Sequence, residues 1–219
     1  MGDPVPSFAA VPTWTRALPL GGWLACWERW LDATEAARAY DALYREVEWS
    51  ERTIVIAGRE VKQPRLVAWY GDAHAVYTYS GRRNEPQPWN AALSAVRDRL
   101  VETVGVRFDS VLANLYRNGE DAMGMHADRE PELGPEPLIA SVSLGATRRF
   151  VLRPRDRRER RGELVETLRL EDGMLLLLGG ATQDRYKHGV PRESAPTGPR
   201  INLTFRQIRL PSGAATPSR

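Results

Sequence analysis

Only two stretches of this chain have helical spacing, both in its first half, against ten short runs rich in apolar, β-branched and aromatic residues. In the first helical stretch Ala36, Tyr40, Leu43, Tyr44 and Val47 recur three or four residues apart, behind Asp32 and Glu35 in a capping-box arrangement. The second begins near Trp89, sets Leu93, Val96, Leu100 and Val104 on one face, and stops at Gly105. The short runs are TIVIAG, RLVAWYG, AVYTYSG, SVLANLYR, LIASVSLG, RRFVLRP, ELVETLRL, GMLLLLGG, RYKHGV and INLTFRQI, of strand length. Helices and strands do not alternate, which disfavours a βαβ dinucleotide fold. The pattern predicts a mainly β, α+β chain, an antiparallel sandwich or jelly roll with helices packed on one side.

At 219 residues the chain suffices for one domain with a sizeable core, or at most two small ones. No apolar run reaches eighteen residues, so no membrane-spanning helix is expected. The start MGDPVPSFAAVPTW lacks the basic and apolar regions of a secretion signal. A single cysteine, Cys26, excludes an intrachain disulfide and suits a reducing compartment. The expectation is a cytoplasmic monomer, nucleoid-associated in a prokaryote or nuclear in a eukaryote. The first thirty residues, rich in Trp and Pro, are expected to be irregular. With the first helix they make residues 1–50 a segment packed on a main domain of residues 51–209, and the tail 210–219 is expected to be disordered. Net charge is only +3, but the pI near 9.2 reflects arginine more than lysine. RPRDRRERRGE, residues 153–163, carries six Arg against three acids. It reads equally as a solvated loop with internal ion pairs or as a phosphate-contacting patch.

Histidine is scarce, with three in the chain. In NLYRNGEDAMGMHADRE, His126 and Asp128 are two residues apart, so an extended backbone points both the same way. Alone, this is equally a surface turn with a His–Asp hydrogen bond. His188, in DRYKHGVP just past the apolar run GMLLLLGG, supplies a third group. Two histidines and one carboxylate make the facial triad that leaves positions open on a non-haem Fe(II), with zinc as the competing metal. In RINLTFR, Ile201, Leu203 and Phe205 share one face, and Arg200, Asn202, Thr204 and Arg206 the other. That donor row suits a dicarboxylate, because the two arginine Cα atoms lie roughly 20 Å apart at ~3.3 Å per residue and both side chains can lean inward. Triad and donor row together imply an Fe(II)/2-oxoglutarate oxygenase.

NLYRNGEDAMGMHADRE, IASVSLGATRRFVL, HGVP and RINLTFR, with QPRLVAWYGD and VYTYSG upstream, resemble in order and separation the AlkB family of nucleic-acid dealkylating dioxygenases. They are most similar to the subgroup that includes the vertebrate DNA-repair homologues. The resemblance covers about residues 54–208 and leaves the N-terminal part unmatched. It implies a double-stranded β-helix (jelly-roll) core, Fe(II) as cofactor, and 2-oxoglutarate and O2 as co-substrates. The implied reaction is oxidative demethylation of N-alkylated bases such as 1-methyladenine and 3-methylcytosine in DNA or RNA, releasing formaldehyde and succinate. By position it makes His126, Asp128 and His188 the metal ligands, with Asn114 and Tyr116 bonding 2-oxoglutarate. Arg200 would hold the distal carboxylate and Arg206 face the carboxylate near the metal, with Asn202 and Thr204 beside them. Tyr77 and Tyr79 would line the base pocket, Tyr79 stacking on the flipped base opposite His126. Glu130 would accept from the base's exocyclic amine, and Arg153 is the arginine expected nearest substrate. His74 matches no ligand position and is expected to be exposed.

The implied chemistry is physically coherent. A methylated, cationic base pairs poorly, so extruding it costs less than extruding an intact base, and aromatic stacking beside a carboxylate suits its charge. One position departs from the family pattern. Where the duplex-acting subgroup has an aromatic wedge, this chain aligns Ala57, beside Ile56, so single strands are expected to be better substrates than duplexes. Two other readings remain: the same oxygenase chemistry on a protein side chain or small metabolite, and a non-catalytic nucleic-acid-binding jelly roll. The intact triad and arginine row weigh against the latter.

Overall fold

A computed structural model of the protein describes residues 4–56, 59–79, 82–156, 166–195 and 197–209, with the backbone alone at 54–56, 77–79 and 82–84. The first half runs β1 (Trp14–Ala17), β2 (Trp23–Trp27), α1 (Ala33–Glu46), β3 (Ser50–Ile56), β4 (Arg59–Gly71), β5 (Tyr77–Tyr79), β6 (Arg82–Asn84) and α2 (Ala91–Val104). The second half runs β7 (Ser110–Tyr116), β8 (Met123–His126), β9 (Ile139–Gly145), β10 (Arg148–Pro154), β11 (Glu166–Leu170), β12 (Met174–Gly179), α3 (Thr182–Arg185), β13 (Tyr186–Val190) and β14 (Arg200–Arg206). Eight strands form one sheet in the order β1-β2-β12-β9-β14-β7-β4-β3, four form a second in the order β11-β10-β13-β8, and β5 pairs with β6. The strand pairs are antiparallel, as the sequence pattern predicts.

The large sheet is covered on one face by α1 and α2 and on the other by the small sheet, and each face has its own apolar cluster. On β12, Leu175 and Leu177 join the helix-side cluster, whereas Met174, Leu176 and Leu178 pack between the sheets. A strand buried on both faces reads as an unbroken apolar run, which is why MLLLLG shows no alternation. The capping box of α1 is present: Asp32 Oδ1 accepts from Glu35 N at 2.8 Å, and Asp32 N donates to Glu35 Oε2 at 2.9 Å. The apolar face of α1 is narrower than its spacing predicts, because Tyr44 is 51% exposed while Ala36 and Leu43 are buried. α2 is capped by Asn90 and ends at Gly105, whose φ of 76° suits glycine. Among the described residues, no helix is long and apolar enough to cross a membrane.

The N-terminal segment corrects an expectation. Residues 14–27 are two strands of the large sheet, not an irregular layer, and β2 lies between β1 and β12. Trp23, Ala25 and Trp27 pack toward the helices, and Leu24 and Cys26 between the sheets. WLACW is therefore a core strand whose two buried faces hide any period of two. The expectations for Ala57, for 157–163 of the arginine-rich stretch and for the tail 210–219 lie outside the described residues.

Candidate active site

β9, β14 and β7 are neighbours in the large sheet. Ile201, Leu203 and Phe205 of β14 pack on the helix side, which turns Arg200, Asn202, Thr204 and Arg206 toward the small sheet. These four line a cleft of about 440 Å³, open solvent at its mouth included, that also reaches Tyr116, His126, Asp128 and His188. The two faces foreseen for RINLTFR are present.

The small sheet brings the two site histidines together. β13 pairs with β8 so that His188 stands opposite His126, with ring centroids 4.3 Å apart. The Asp128 carboxylate lies 3.8 Å from His126 Nε2 and 3.9 Å from His188 Nε2. One ligand atom from each residue falls within 4.8 Å of the others. Metal bonds of about 2.1 Å at right angles put donor atoms about 3 Å apart, so a modest contraction would close this set on an ion.

The surroundings suit a metal. His126 Nδ1 lies 3.0 Å from Gly124 O, a contact that favours a proton on Nδ1 and leaves the Nε2 lone pair free. Asp128 Oδ1 accepts from Arg206 Nη2 at 2.8 Å, whereas Oδ2 is buried without a hydrogen-bond donor. A buried acceptor left unmet is costly, and a cation between Oδ2 and the two imidazoles removes that cost. Burial alone would raise the Asp128 pKa, but Arg206 and the two histidines bring it down to about 2. Burial, reinforced by His126 and Arg206 and opposed by Asp128, pushes His188 down to about 3. At neutral pH Asp128 is therefore an anion and His188 a neutral imidazole, the forms a metal takes.

Arg200 marks the other end of the cleft. It is 1% exposed, its Nη2 donates to Ser143 Oγ at 2.9 Å, and its guanidinium lies 5.2 Å from the Tyr116 ring centroid. Its Nε and Nη1 have no hydrogen-bond partner. Burial lowers its pKa to about 10, with Tyr116 opposing and Arg148 adding to the effect, so it remains a cation at neutral pH. A buried guanidinium with two unused donors fits a carboxylate. Asn202 Nδ2 donates to Ser141 Oγ at 2.8 Å and its Oδ1 accepts from Thr204 Oγ1 at 3.1 Å. Asn114 sits opposite Asn202 in register, but its Oδ1 accepts from Arg65 Nε at 2.7 Å and it does not line the cleft.

Other expected residues stand apart. Arg153 alternates with Leu152, which packs between the sheets, so Arg153 faces outward opposite Lys187. Glu130 is half-buried at the head of the 3-10 turn Pro131–Leu133, beyond the residues that line the cleft. The side chains of Tyr77 and Tyr79 lie outside the described residues. His74 is exposed and pairs with Asp109 at 3.1 Å. Reading the sequence missed Ser141 and Ser143, although their alternation in LIASVSLG was a signal for a polar inner face. It also missed the buried Arg65, Arg148 and Gln183, which carry no period to betray them.

A family model described as the 2OG-Fe(II) oxygenase superfamily matches residues 24–206, so the likeness begins in β2, well before residue 54. Alpha-ketoglutarate-dependent dioxygenase alkB homolog 3 is 43% identical over 183 residues in Bos taurus and 42% in Homo sapiens, covering 81% of this chain and 63% of each relative. The chain thus spans less than two thirds of the length of these relatives. DNA oxidative demethylase ALKBH2 of Mus musculus is 41% identical over 80% of this chain and 75% of that protein. The solved structure of OsALKBH1 has a TM-score of 0.56 at 19% identity, covering 84% of this chain and 97% of that one, a likeness of fold. Its donor set, its sheet order and these relatives agree: the chain belongs to the 2OG-Fe(II) oxygenase superfamily, among its AlkB homologues.

Proposed function

We propose that this protein is an Fe(II)/2-oxoglutarate-dependent oxidative demethylase of N-alkylated bases such as 1-methyladenine and 3-methylcytosine, in DNA or RNA. The observation that carries the reading is the pairing of Asp128 Oδ2, buried without a donor 3.9 Å from His188 Nε2, with Arg200, a buried cation on the same cleft whose Nε and Nη1 have no hydrogen-bond partner. The substrate class rests on the relatives, one of which is named a DNA oxidative demethylase. Bound Fe(II), with 2-oxoglutarate and O2, supplies oxidation of the N-methyl carbon, which leaves as formaldehyde while 2-oxoglutarate becomes succinate and CO2. The chain's own residues bind and orient. His126, Asp128 and His188 hold the ion, and Arg206 fixes Asp128 through Oδ1 so that Oδ2 faces it. Arg200 takes the distal carboxylate of 2-oxoglutarate, with the Tyr116 ring beneath its guanidinium. Arg65 occupies the carbonyl of Asn114, and the amide Nδ2 donates to Leu112 O at 3.4 Å, so this residue supports the strand behind the cleft. Tyr77, Tyr79 and Glu130 are proposed as the base pocket.

The outer face of the small sheet supports a polyanionic substrate. Arg149 stands opposite Arg169, and Arg153 opposite Lys187, with Val151, Thr167 and Gly189 as the other paired positions of that face. Of these basic residues Arg149 has an acid partner, Glu193 at 3.1 Å. Like charges set opposite one another destabilise a sheet, and a phosphodiester backbone laid across them relieves the repulsion. The test is formaldehyde release from methylated oligonucleotides, single- and double-stranded, with Fe(II) and 2-oxoglutarate. Release that requires both is expected, faster on single strands. Absence of release from every methylated oligonucleotide, with metal and 2-oxoglutarate still bound, would overturn the substrate class.

A further inference from the structure

Asp128 is held by its main chain as well as by its carboxylate. Its N–H donates to Gln183 Oε1 at 2.9 Å, and Gln183, on α3, is 1% exposed. The next residue repeats the connection outside, where Arg129 Nε donates to Asp184 Oδ1 at 2.9 Å. Residues 128 and 129 are thus clasped to residues 183 and 184. α3 itself is bolted to the large sheet: Thr182 Oγ1 donates to Gly179 O at 2.6 Å and accepts from Trp23 N at 3.1 Å. Gly22, at φ +83°, permits this, since a Cβ there would stand 2.3 Å from Thr182 Oγ1.

We infer that Gln183 is a positioning residue for the metal, holding the Asp128 backbone so that Oδ2 meets the space between His126 and His188. The inference rests on the triad and is independent of which substrate the cleft accepts. Gln183 Nε2 is buried without an acceptor. An apolar residue would fill this place without an unmet donor, so the position keeps an amide for its carbonyl oxygen. Without that acceptor the buried Asp128 N–H is orphaned, the loop rearranges, and the carboxylate turns about its contact with Arg206. Groups that orient metal ligands in this way are typically worth about 10- to 100-fold in metal affinity.

The experiment is titration of the full chain, freed of metal by a chelator, with Mn(II) in place of Fe(II), reading free Mn(II) by electron paramagnetic resonance. Gln183→Met removes the acceptor at similar volume, and Gln183→Glu retains one. The expected result is about 10- to 100-fold weaker Mn(II) binding in Gln183→Met, with most of the affinity kept in Gln183→Glu. Unchanged affinity in Gln183→Met, or equal losses in both variants, would overturn the inference. Should Gln183→Met not fold, Gln183→Asn keeps the amide but withdraws its carbonyl oxygen from the Asp128 N–H by one methylene. It is expected to weaken Mn(II) binding about 10-fold; unaltered Mn(II) binding there would overturn the inference. An unmodified chain that does not bind Mn(II) would overturn the triad itself, whereas normal binding without repair would overturn only the proposed substrate.

Discussion

Arg200 and Arg206 begin and end one strand and face one cleft, yet their surroundings assign them different work. Arg206 is held against the Asp128 carboxylate, whereas Arg200 donates to the Ser143 hydroxyl and keeps Nε and Nη1 without an acceptor. Arg200→Ala is expected to weaken 2-oxoglutarate by about 3 kcal/mol or more, at least 100-fold, since a buried anion would lose its counter-charge. Succinate formation titrated against 2-oxoglutarate checks this, and an unchanged requirement would mean that the strand's polar face binds something else. Removing any one of His126, Asp128 or His188 by substitution with Ala should abolish iron-dependent turnover; substantial activity in His188→Ala would refute the triad. His188 also sets a pH dependence. Its folded pKa of about 3 lies below its ordinary 6.5, so the unfolded chain binds the extra proton between those values. Stability from this group is present above pH 6.5 and is lost as pH falls toward 3, by at most about 1.4 kcal/mol per pH unit. Metal-free His188→Gln should therefore show a shallower decline in denaturant stability between pH 6.5 and 4 than the unmodified chain. Equal slopes would mean that His188 accepts a proton in the folded state.

Among the elements, alternation, a cap or a long aliphatic run made β14, α1 and β12 legible, whereas β2 was missed. RINLTFR displayed its role because apolar and polar residues alternate, and α1 displayed its start because Asp32 and Glu35 are a local signal. β2 gave neither, because its neighbours on both faces come from far along the chain. Asp32→Ala should cost about 1 kcal/mol of stability, with Mn(II) affinity unchanged, because the cap lies on the helix layer and not on the cleft. Gly22→Ala should cost more, about 2–4 kcal/mol, since it combines a left-handed backbone with a clash against Thr182. Thermal melting of the metal-free variants ranks the two, and the reverse order would contradict the account of how α3 is anchored.

At the scale of the whole molecule, a net charge of +3 understates how unevenly charge is distributed. Composition left residues 153–163 evenly divided between a solvated loop and a phosphate-contacting patch, and only strand pairing reveals that Arg153 meets Lys187 while Arg149 meets Arg169. Replacing Arg153 and Lys187 together by Ala should reduce the slope of log affinity against log salt by about 0.7 per lost contact on single strands, with kcat preserved. An unchanged slope would place the nucleic acid elsewhere. The sheet order carries a last consequence, for synthesis of the chain. β14, the final strand described, lies between β9 and β7 and joins β1-β2-β12-β9 to β7-β4-β3. Until residue 206 has left the ribosome, two half-sheets face each other across a missing strand, each offering an unpaired edge. A nascent chain halted just short of β14 should therefore recruit chaperones and resist no protease, while one released a few residues later closes its sheet in a single step.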